Sequence, residues 1–199
     1  MSHTAHFLSV SAQILEQMAL ESDTIAQIDK MILTIQETKL MGGRLYLIGM
    51  GGGAGHASHA VNDFRKLCNV DAATPTDNVS ELTARANDEG LNTIFTGWLK
   101  TSRLSYRDCL FILSVGGGNL EKNVSRSIID AIDLAGSVGA KVIGVVGRSD
   151  GYLATKSDAC VIVPTVDSSL ITPQTEGMQA VIWHLIVSSP ELQENKTKW

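Results

Sequence analysis

Residues 44–64 read RLYLIGMGGGAGHASHAVNDF: a short apolar run, five glycines at 49, 51, 52, 53 and 55, and then a segment of helical composition. An apolar run closed by glycines reads as a buried strand that turns tightly into a helix. The same grammar returns downstream. Residues 109–115 are apolar, 116–118 are Gly-Gly-Gly, and 120–135 place Val124, Ile128, Ile129 and Ile132 along one helical face. Residues 141–146 and 160–163 supply two more buried strands, and 173–188 a last helix through Met178, Val181, Ile182 and Leu185. Strands alternating with helices predict an α/β fold whose parallel sheet is covered on both faces.

The first 41 residues have a different texture. Val10, Ile14 and Met18, then Ile25, Ile28, Ile32 and Ile35, recur at helical spacing, with Ser22 and Asp23 between them as break and cap, and Gly42-Gly43 as the end. Two amphipathic helices outside an α/β core are expected to bury their stripes against symmetric copies, so residues 1–41 read as an assembly region and 42–199 as the ligand-binding domain. The segment 72–90 is polar and rich in turn residues, and reads as a weak strand, loops and short helices.

The 199 residues, 44% hydrophobic and 19% charged, suffice for one core and a peripheral element. A net charge of −5 argues against nucleic acid or an anionic membrane as partner. The N-terminus MSHTAHFLSV shows no basic n-region, and no apolar run approaches the roughly 20 residues of a membrane span; a soluble, cytoplasmic protein is expected. Cys68, Cys109 and Cys160 are odd in number, far apart and in apolar surroundings, as buried reduced thiols are.

In a parallel sheet, loops leaving the carboxyl ends of strands line the ligand crevice, and glycines let backbone N–H groups approach an anion. Gly51, Gly52 and Gly53 in the first loop and Gly116, Gly117 and Gly118 in the second together suggest one phosphate-sized site. A bulky side chain at Gly117 is expected to exclude the phosphate while sparing the fold. Gly49-x-Gly51-x-x-Ala54 with Asp71 downstream also fits a loose dinucleotide fingerprint, and either loop alone could be a mere tight turn.

His59 and Asp63, four apart just beyond the first loop, share a helix face; Glu176 and His184, eight apart on the last helix, nearly do. Each pair alone is as well explained by a solvated contact or a hydrogen-bonded core histidine. Converging in one crevice, a carboxylate and an imidazole can exchange protons with a carbonyl sugar, and two His with two carboxylates can hold Zn²⁺.

With GMGGGAGHASHAVNDF, LTARAND, LSVGGGN, GAKVIGVVGR and EGMQAVIWHLI in order and at matching spacing, nearly the whole chain resembles the SIS (sugar isomerase) domain family, and within it the phosphoheptose isomerases. The resemblance implies a single SIS domain with a five-stranded, flavodoxin-like parallel sheet and two N-terminal helices for oligomer packing. It implies a homotetrameric aldose-ketose isomerase that converts sedoheptulose 7-phosphate to D-glycero-manno-heptose 7-phosphate for lipopolysaccharide or capsule, in some members with active-site zinc. Residue by residue, His59 falls on the family's helical histidine, Asp63 on its catalytic glutamate, His184 on its catalytic histidine and Glu176 on a glutamine, while Asn87 and Asp88 match an Asn-Asp pair near substrate. His59, Asp63, Glu176 and His184 are the expected zinc ligands, with Asp63, or else Glu176, as base.

This chain departs from the family in its loops. Gly49-Met50-Gly51-Gly52-Gly53 stands for Gly-Asn-Gly-Gly-Ser, and Ser114-Val115-Gly116-Gly117-Gly118-Asn119 for Ser-Thr-Ser-Gly-Asn-Ser, so most phosphate-binding hydroxyls are gone. Backbone amides, with Ser114, Asn119 and Lys122, are expected to replace them. The loss of the serines and the exchange of Glu for Asp also fit an alternative: a non-catalytic SIS scaffold that binds a phosphosugar or a protein partner.

Overall fold

The computed structural model describes residues 1–198. Its five strands are β1 (Leu45–Gly49), β2 (Ala72–Ala73), β3 (Cys109–Leu113), β4 (Lys141–Val146) and β5 (Ala159–Ile162), all parallel in the order β2-β1-β3-β4-β5. That is the flavodoxin-like order, which reverses between β1 and β3 and opens its ligand crevice at their carboxyl ends. Both glycine loops leave from there.

Among the described residues eight α-helices cover the sheet. On one face lie α1 (His3–Leu20), α2 (Ser22–Leu40), α3 (Gly52–Cys68) and α8 (Ile171–Val187), whose apolar residues share a core with Leu45, Leu47, Phe111, Leu113 and Val145. On the other lie α4 (Val79–Asp88), α5 (Ile94–Thr101), α6 (Arg126–Val138) and α7 (Tyr152–Lys156), packed on Tyr46, Ile48, Leu110, Ile112 and Val146. Strands β1 and β3 are buried on both faces, which is why they read as unbroken apolar runs rather than alternating ones. Among the described residues, no helix is long and apolar enough to cross a membrane.

Two expectations change. Val10, Ile14, Met18, Ile28, Ile32 and Ile35 are buried in this chain's own core, so most of these stripes are not left over for a second copy; of the stripe only Ile25 stays exposed among the described residues, together with Leu8, Leu15, Leu20, Leu33 and Leu40 on the outer faces. The helix expected from residue 120 begins at Arg126, and Val124 is exposed. Asn119 and Val124 exchange backbone hydrogen bonds of 3.0 Å, and Asn123 and Ser125 take left-handed φ of 50° and 53°, which close residues 119–125 into a turn before the helix can start.

All three cysteines are free and buried. Burial pushes the Cys68 thiol up to about 11 and Cys160 to about 12, and drives Cys109 upward as well.

The amino ends of β1 and β3 are tied by one ion pair. Asp108 accepts the Arg44 backbone N–H at 2.8 Å and the Arg44 guanidinium at 3.2 and 3.3 Å, with Ser105 donating to it from N and Oγ. Burial alone would raise this carboxyl, but the bonds from Arg44 and Ser105 hold it below the usual aspartate range.

Candidate active site

Helices α3 and α8 pack side by side, and their seam brings together three of the four expected ligands. His59 Nε2 lies 3.9 Å from Asp63 Oδ2, and the His59 and His184 rings stand 5.6 Å apart, edge to face. One ligand atom from each of His59, Asp63 and His184 lies within 4.8 Å of the others. The i,i+4 spacing on α3 sets the first pair and the helix pairing adds the third. His184 Nδ1 donates to the Ala180 carbonyl at 2.7 Å, which fixes the tautomer and leaves Nε2 as the free acceptor. Asp63 is half-buried and accepts from Asn62 Nδ2 at 2.7 Å through Oδ1, so Oδ2 is the oxygen facing the histidines. Two imidazole nitrogens and a carboxylate oxygen make a donor set suited to a zinc ion.

Trp183 shapes this cluster, and no sequence expectation pointed to it. Its fully buried ring lies 4.7 Å from His59 and stacks on His184 at 3.5 Å, a rigid wall behind both imidazoles. The WH dipeptide at 183–184 was the available signal. Asp63 and His184 open into a cleft of about 750 Å³, also lined by Lys66, Ser188, Gln193 and Lys198.

Glu176 corrects the expected set of four. Its carboxylate stands against Gly52, where an added Cβ would come 2.6 Å from both oxygens. Gly52 opens α3, and Asp63 lies eleven residues further along, about 16 Å of helix rise. Glu176 therefore caps the first glycine loop and does not join the cluster, so the ligand set falls from four to three. Its position comes from how the first turn of α8 is held. Gln174 bonds to Ser11 and the Phe7 carbonyl on α1, Thr175 packs against Gly147, and His6 Nε2 donates to Asp167 Oδ2 at 2.7 Å just before the helix. The bonds from His6 and Ser169 hold the Asp167 carboxyl down to about 2.

The two glycine loops touch but differ. Gly53 lies so near Leu113 that an added Cβ would sit 2.2 Å from its carbonyl oxygen, and Gly51, with φ of 57°, caps α3. A carboxylate already faces Gly52, so this loop is unsuited to an anion and the expectation of one phosphate shared by both loops is revised. In the second loop, Gly117 and Gly118 take φ of 68° and 86°, and their carbonyls accept from Leu153 and Tyr152 at the start of α7. Gly117 packs on Val146 and Leu153, so a valine there would strain the backbone and is not a clean probe of phosphate exclusion.

Ser114 Oγ accepts from Gly117 N at 3.0 Å, and Asn119 Oδ1 from Lys122 N at 2.8 Å; both side chains build the loop. Gly116 faces open space, on a cavity of about 210 Å³ lined also by Gly118, Lys122, Arg148 and Asp150. Arg148 is a residue the sequence reading misses, although it stands just past the carboxyl end of β4, where a crevice residue belongs. Asn87 and Asp88 end α4 on the opposite face of the sheet, exposed and bonded to each other at 2.7 Å, and are not brought to the His59 cluster.

Residues 6–147 match the SIS domain family. The chain is 32% identical over 195 residues to a phosphoheptose isomerase of Chlorobaculum parvum, covering 91% of this chain and 84% of that one. The chain belongs to the SIS domain family. A phosphoheptose isomerase of Rhodospirillum rubrum is 30% identical over 150 residues, covering 73% of this chain and 74% of the relative. The structure of a phosphoheptose isomerase from Francisella tularensis superposes with a TM-score of 0.80 at 20% identity, covering 94% of this chain and 97% of that one; at this identity it bears on the SIS fold alone.

Proposed function

We propose that this SIS domain is an aldose-ketose isomerase of the phosphoheptose isomerase type, converting sedoheptulose 7-phosphate to D-glycero-manno-heptose 7-phosphate. The observation that carries the reading is the His59, Asp63 and His184 cluster on the α3–α8 seam, in a chain whose relatives bear that name. A carboxylate and an imidazole with a free Nε2 are the two groups an enediol mechanism requires. Asp63 takes the proton from C1 of the ketose through Oδ2 and returns it to C2. His184 moves the oxygen-bound proton between O2 and O1 through Nε2, its Nδ1 held by Ala180. Trp183 keeps both imidazoles oriented. His59, Asp63 and His184 would hold a zinc ion, which when bound supplies Lewis-acid polarisation of the carbonyl; it would occupy the Asp63 Oδ2 and His184 Nε2 lone pairs, so metal binding and proton transfer are alternative uses of these atoms. Glu176, on α8 with its carboxylate against Gly52, stands apart from this cluster.

The same reading takes the enzyme as a cytoplasmic homotetramer, with residues 1–41 as the assembly region through the outer faces that carry Leu8, Leu15, Leu33 and Leu40.

The test is NMR and mass analysis after incubating the protein, metal-free and zinc-loaded in parallel, with sedoheptulose 7-phosphate and with five- and six-carbon phosphosugars in D₂O. Formation of the aldose with solvent deuterium at C2 is expected; no turnover of any of them overturns the reading. Elemental analysis of protein purified without chelator is expected to find about one zinc per chain in wild type and loss of it in His59→Ala. Active wild type without stoichiometric metal removes zinc from the mechanism.

A further inference from the structure

The cleft that Asp63 and His184 open into is more positive than the chain that builds it. The chain has a net charge of −5, yet among the described residues that line this cleft Asp63 is the one carboxylate, against Lys66 and Lys198. Lys66 lies three residues beyond Asp63 on α3, so the two share a helix face with Cβ atoms about 5–6 Å apart. Among the described residues the Lys66 ammonium has no acceptor and forms no ion pair, not even with Asp63. Glu194, which the C-terminal segment brings to this end of α3, is taken up by Lys39 and Asn69. The same segment fixes the helix end: Glu194 N and Asn195 N donate to the Leu67 carbonyl at 2.9 Å, and Asn195 Nδ2 to the Lys66 carbonyl at 3.0 Å. Lys66 is therefore held at a defined place beside Asp63, whereas Lys198 lies beyond these bonds.

An unpaired ammonium stands where the proposed reaction needs positive charge. Isomerisation through an enediol develops negative charge on O2 and then on O1, and while Asp63 Oδ2 and His184 Nε2 move protons their lone pairs do not hold a metal. Another group must then polarise the carbonyl. We infer that Lys66 is that electrophile, a catalytic residue that donates from Nζ to the O1–O2 edge of the enediolate. The inference rests on the isomerase reading above and adds a group to it. Asp63 takes the proton from C1, the C–H electron pair becomes the C1–C2 double bond, and the carbonyl π pair moves to O2, where Lys66 holds the charge. His184 carries the O1 proton to O2, and return of the Asp63 proton to C2 leaves the C1 carbonyl of the aldose. No co-reactant is consumed. A compact charge on a flexible four-carbon stem, with three rotatable donors, can follow the negative charge from one oxygen to its neighbour.

The experiment uses the full chain freed of metal with a chelator, as wild type, Lys66→Met, Lys66→Arg and Lys198→Met, each checked by thermal melting. Lys66→Gln serves if the methionine variant fails to fold. Turnover of sedoheptulose 7-phosphate is measured beside calorimetric binding of two probes. One is the hydroxamate of a six-carbon 6-phosphoaldonic acid, an enediolate mimic in which N–OH stands for C1 and its oxygen; the other is the corresponding alditol phosphate, which has no oxygen that becomes charged. Lys66→Met is expected to lower kcat about 100-fold with KM within about twofold, and to weaken the hydroxamate by a similar factor. The alditol phosphate is expected to bind wild type and Lys66→Met alike. Lys66→Arg, which keeps the charge on a planar fork, should fall in between.

Wild type that turns over only with zinc overturns the role of Lys66, as does an unchanged kcat in Lys66→Met or a loss that falls on Lys198→Met instead. Equal weakening of hydroxamate and alditol phosphate makes Lys66 a phosphate contact and overturns it too. If no form of the protein isomerises a phosphosugar, the isomerase reading falls by itself and the hydroxamate decides separately: affinity that depends on Lys66 upholds the oxyanion contact, and no binding, or binding indifferent to Lys66, overturns it.

Discussion

Around residue 52 the glycines are there because other atoms press on them; around residue 116 they are there because the backbone turns through left-handed φ and because space is left open. Gly53 abuts the Leu113 carbonyl and Gly52 abuts Glu176, whereas a Cβ added to Gly116 would meet nothing within 4 Å and Gly117 and Gly118 carry the positive φ. Two loops written in the same letter thus do different work. The first locks α3 onto the sheet and presents a carboxylate. The second leaves a hollow edged by two cations, and it is the hollow that can take an anion.

The strongest way to break this contrast is to add one methyl group to each loop. Gly53→Ala should lower stability by about 3 kcal/mol in urea denaturation, because the Leu113 carbonyl belongs to a central strand and cannot move away. Gly116→Ala should stay within about 0.5 kcal/mol of wild type. Equal losses at both positions would erase the distinction.

The next largest effect concerns chemistry. Asp63→Asn should lower kcat at least about 100-fold with little change in KM, the low end of what a general base contributes. Glu176→Gln, which restores the residue usual in the family, should be milder. If Glu176→Gln is dead and Asp63→Asn nearly normal in steady-state assays, the base is the α8 carboxylate that faces the first loop and not the one on the α3–α8 seam.

A third measurement probes what keeps the loops adjacent. Arg44 and Asp108 join β1 to β3 at the amino ends, opposite both loops. Asp108 titrates below the unfolded aspartate value, so its contribution is complete above about pH 4 and is lost as pH falls through its lower folded pKa. Asp108→Asn should cost about 2 kcal/mol at pH 7 and flatten the acid side of the Tm profile, since the side chain is almost wholly buried. An unchanged profile would assign acid sensitivity to other carboxylates. The smallest effect is on KM: Gly116→Ala should raise it for a phosphosugar about threefold by narrowing the hollow, and a KM that does not move would put the phosphate elsewhere.

Much of the fold is legible in the sequence because its signals are local. The runs 45–49 and 109–113 are apolar throughout, and strands buried on both faces have no other pattern to show. The short α5 and α7 leave no such mark, since eight and five residues give too few turns for a period to register. In the site, the His59–Asp63 pair is legible from its i,i+4 spacing. The place of Glu176 is not, because it depends on long-range bonds among His6, Ser11, Asp167 and Gln174 that fix the first turn of α8. Resemblance placed Glu176 with the zinc ligands; packing put it on Gly52. Arg148 carries a positional signal rather than a motif: it stands two residues beyond the last residue of β4, at the carboxyl edge of the sheet where a ligand crevice opens.

The three buried thiols turn the molecule into its own clock. A thiol whose pKa is pushed up and whose side chain is enclosed reacts with an alkylating reagent only while the surrounding structure is open. Cys68 sits at the end of α3, Cys109 in the central strand β3 and Cys160 in the edge strand β5, so the labelling rates of the three, tracked site by site with mass spectrometry, time the opening of three regions in one experiment. Cys160 should be modified first and Cys109 last, at the rate of global unfolding. Substrate or phosphate bound over β3 and β4 should slow Cys109 in proportion to its occupancy, giving a binding isotherm read entirely from a residue that never touches the ligand.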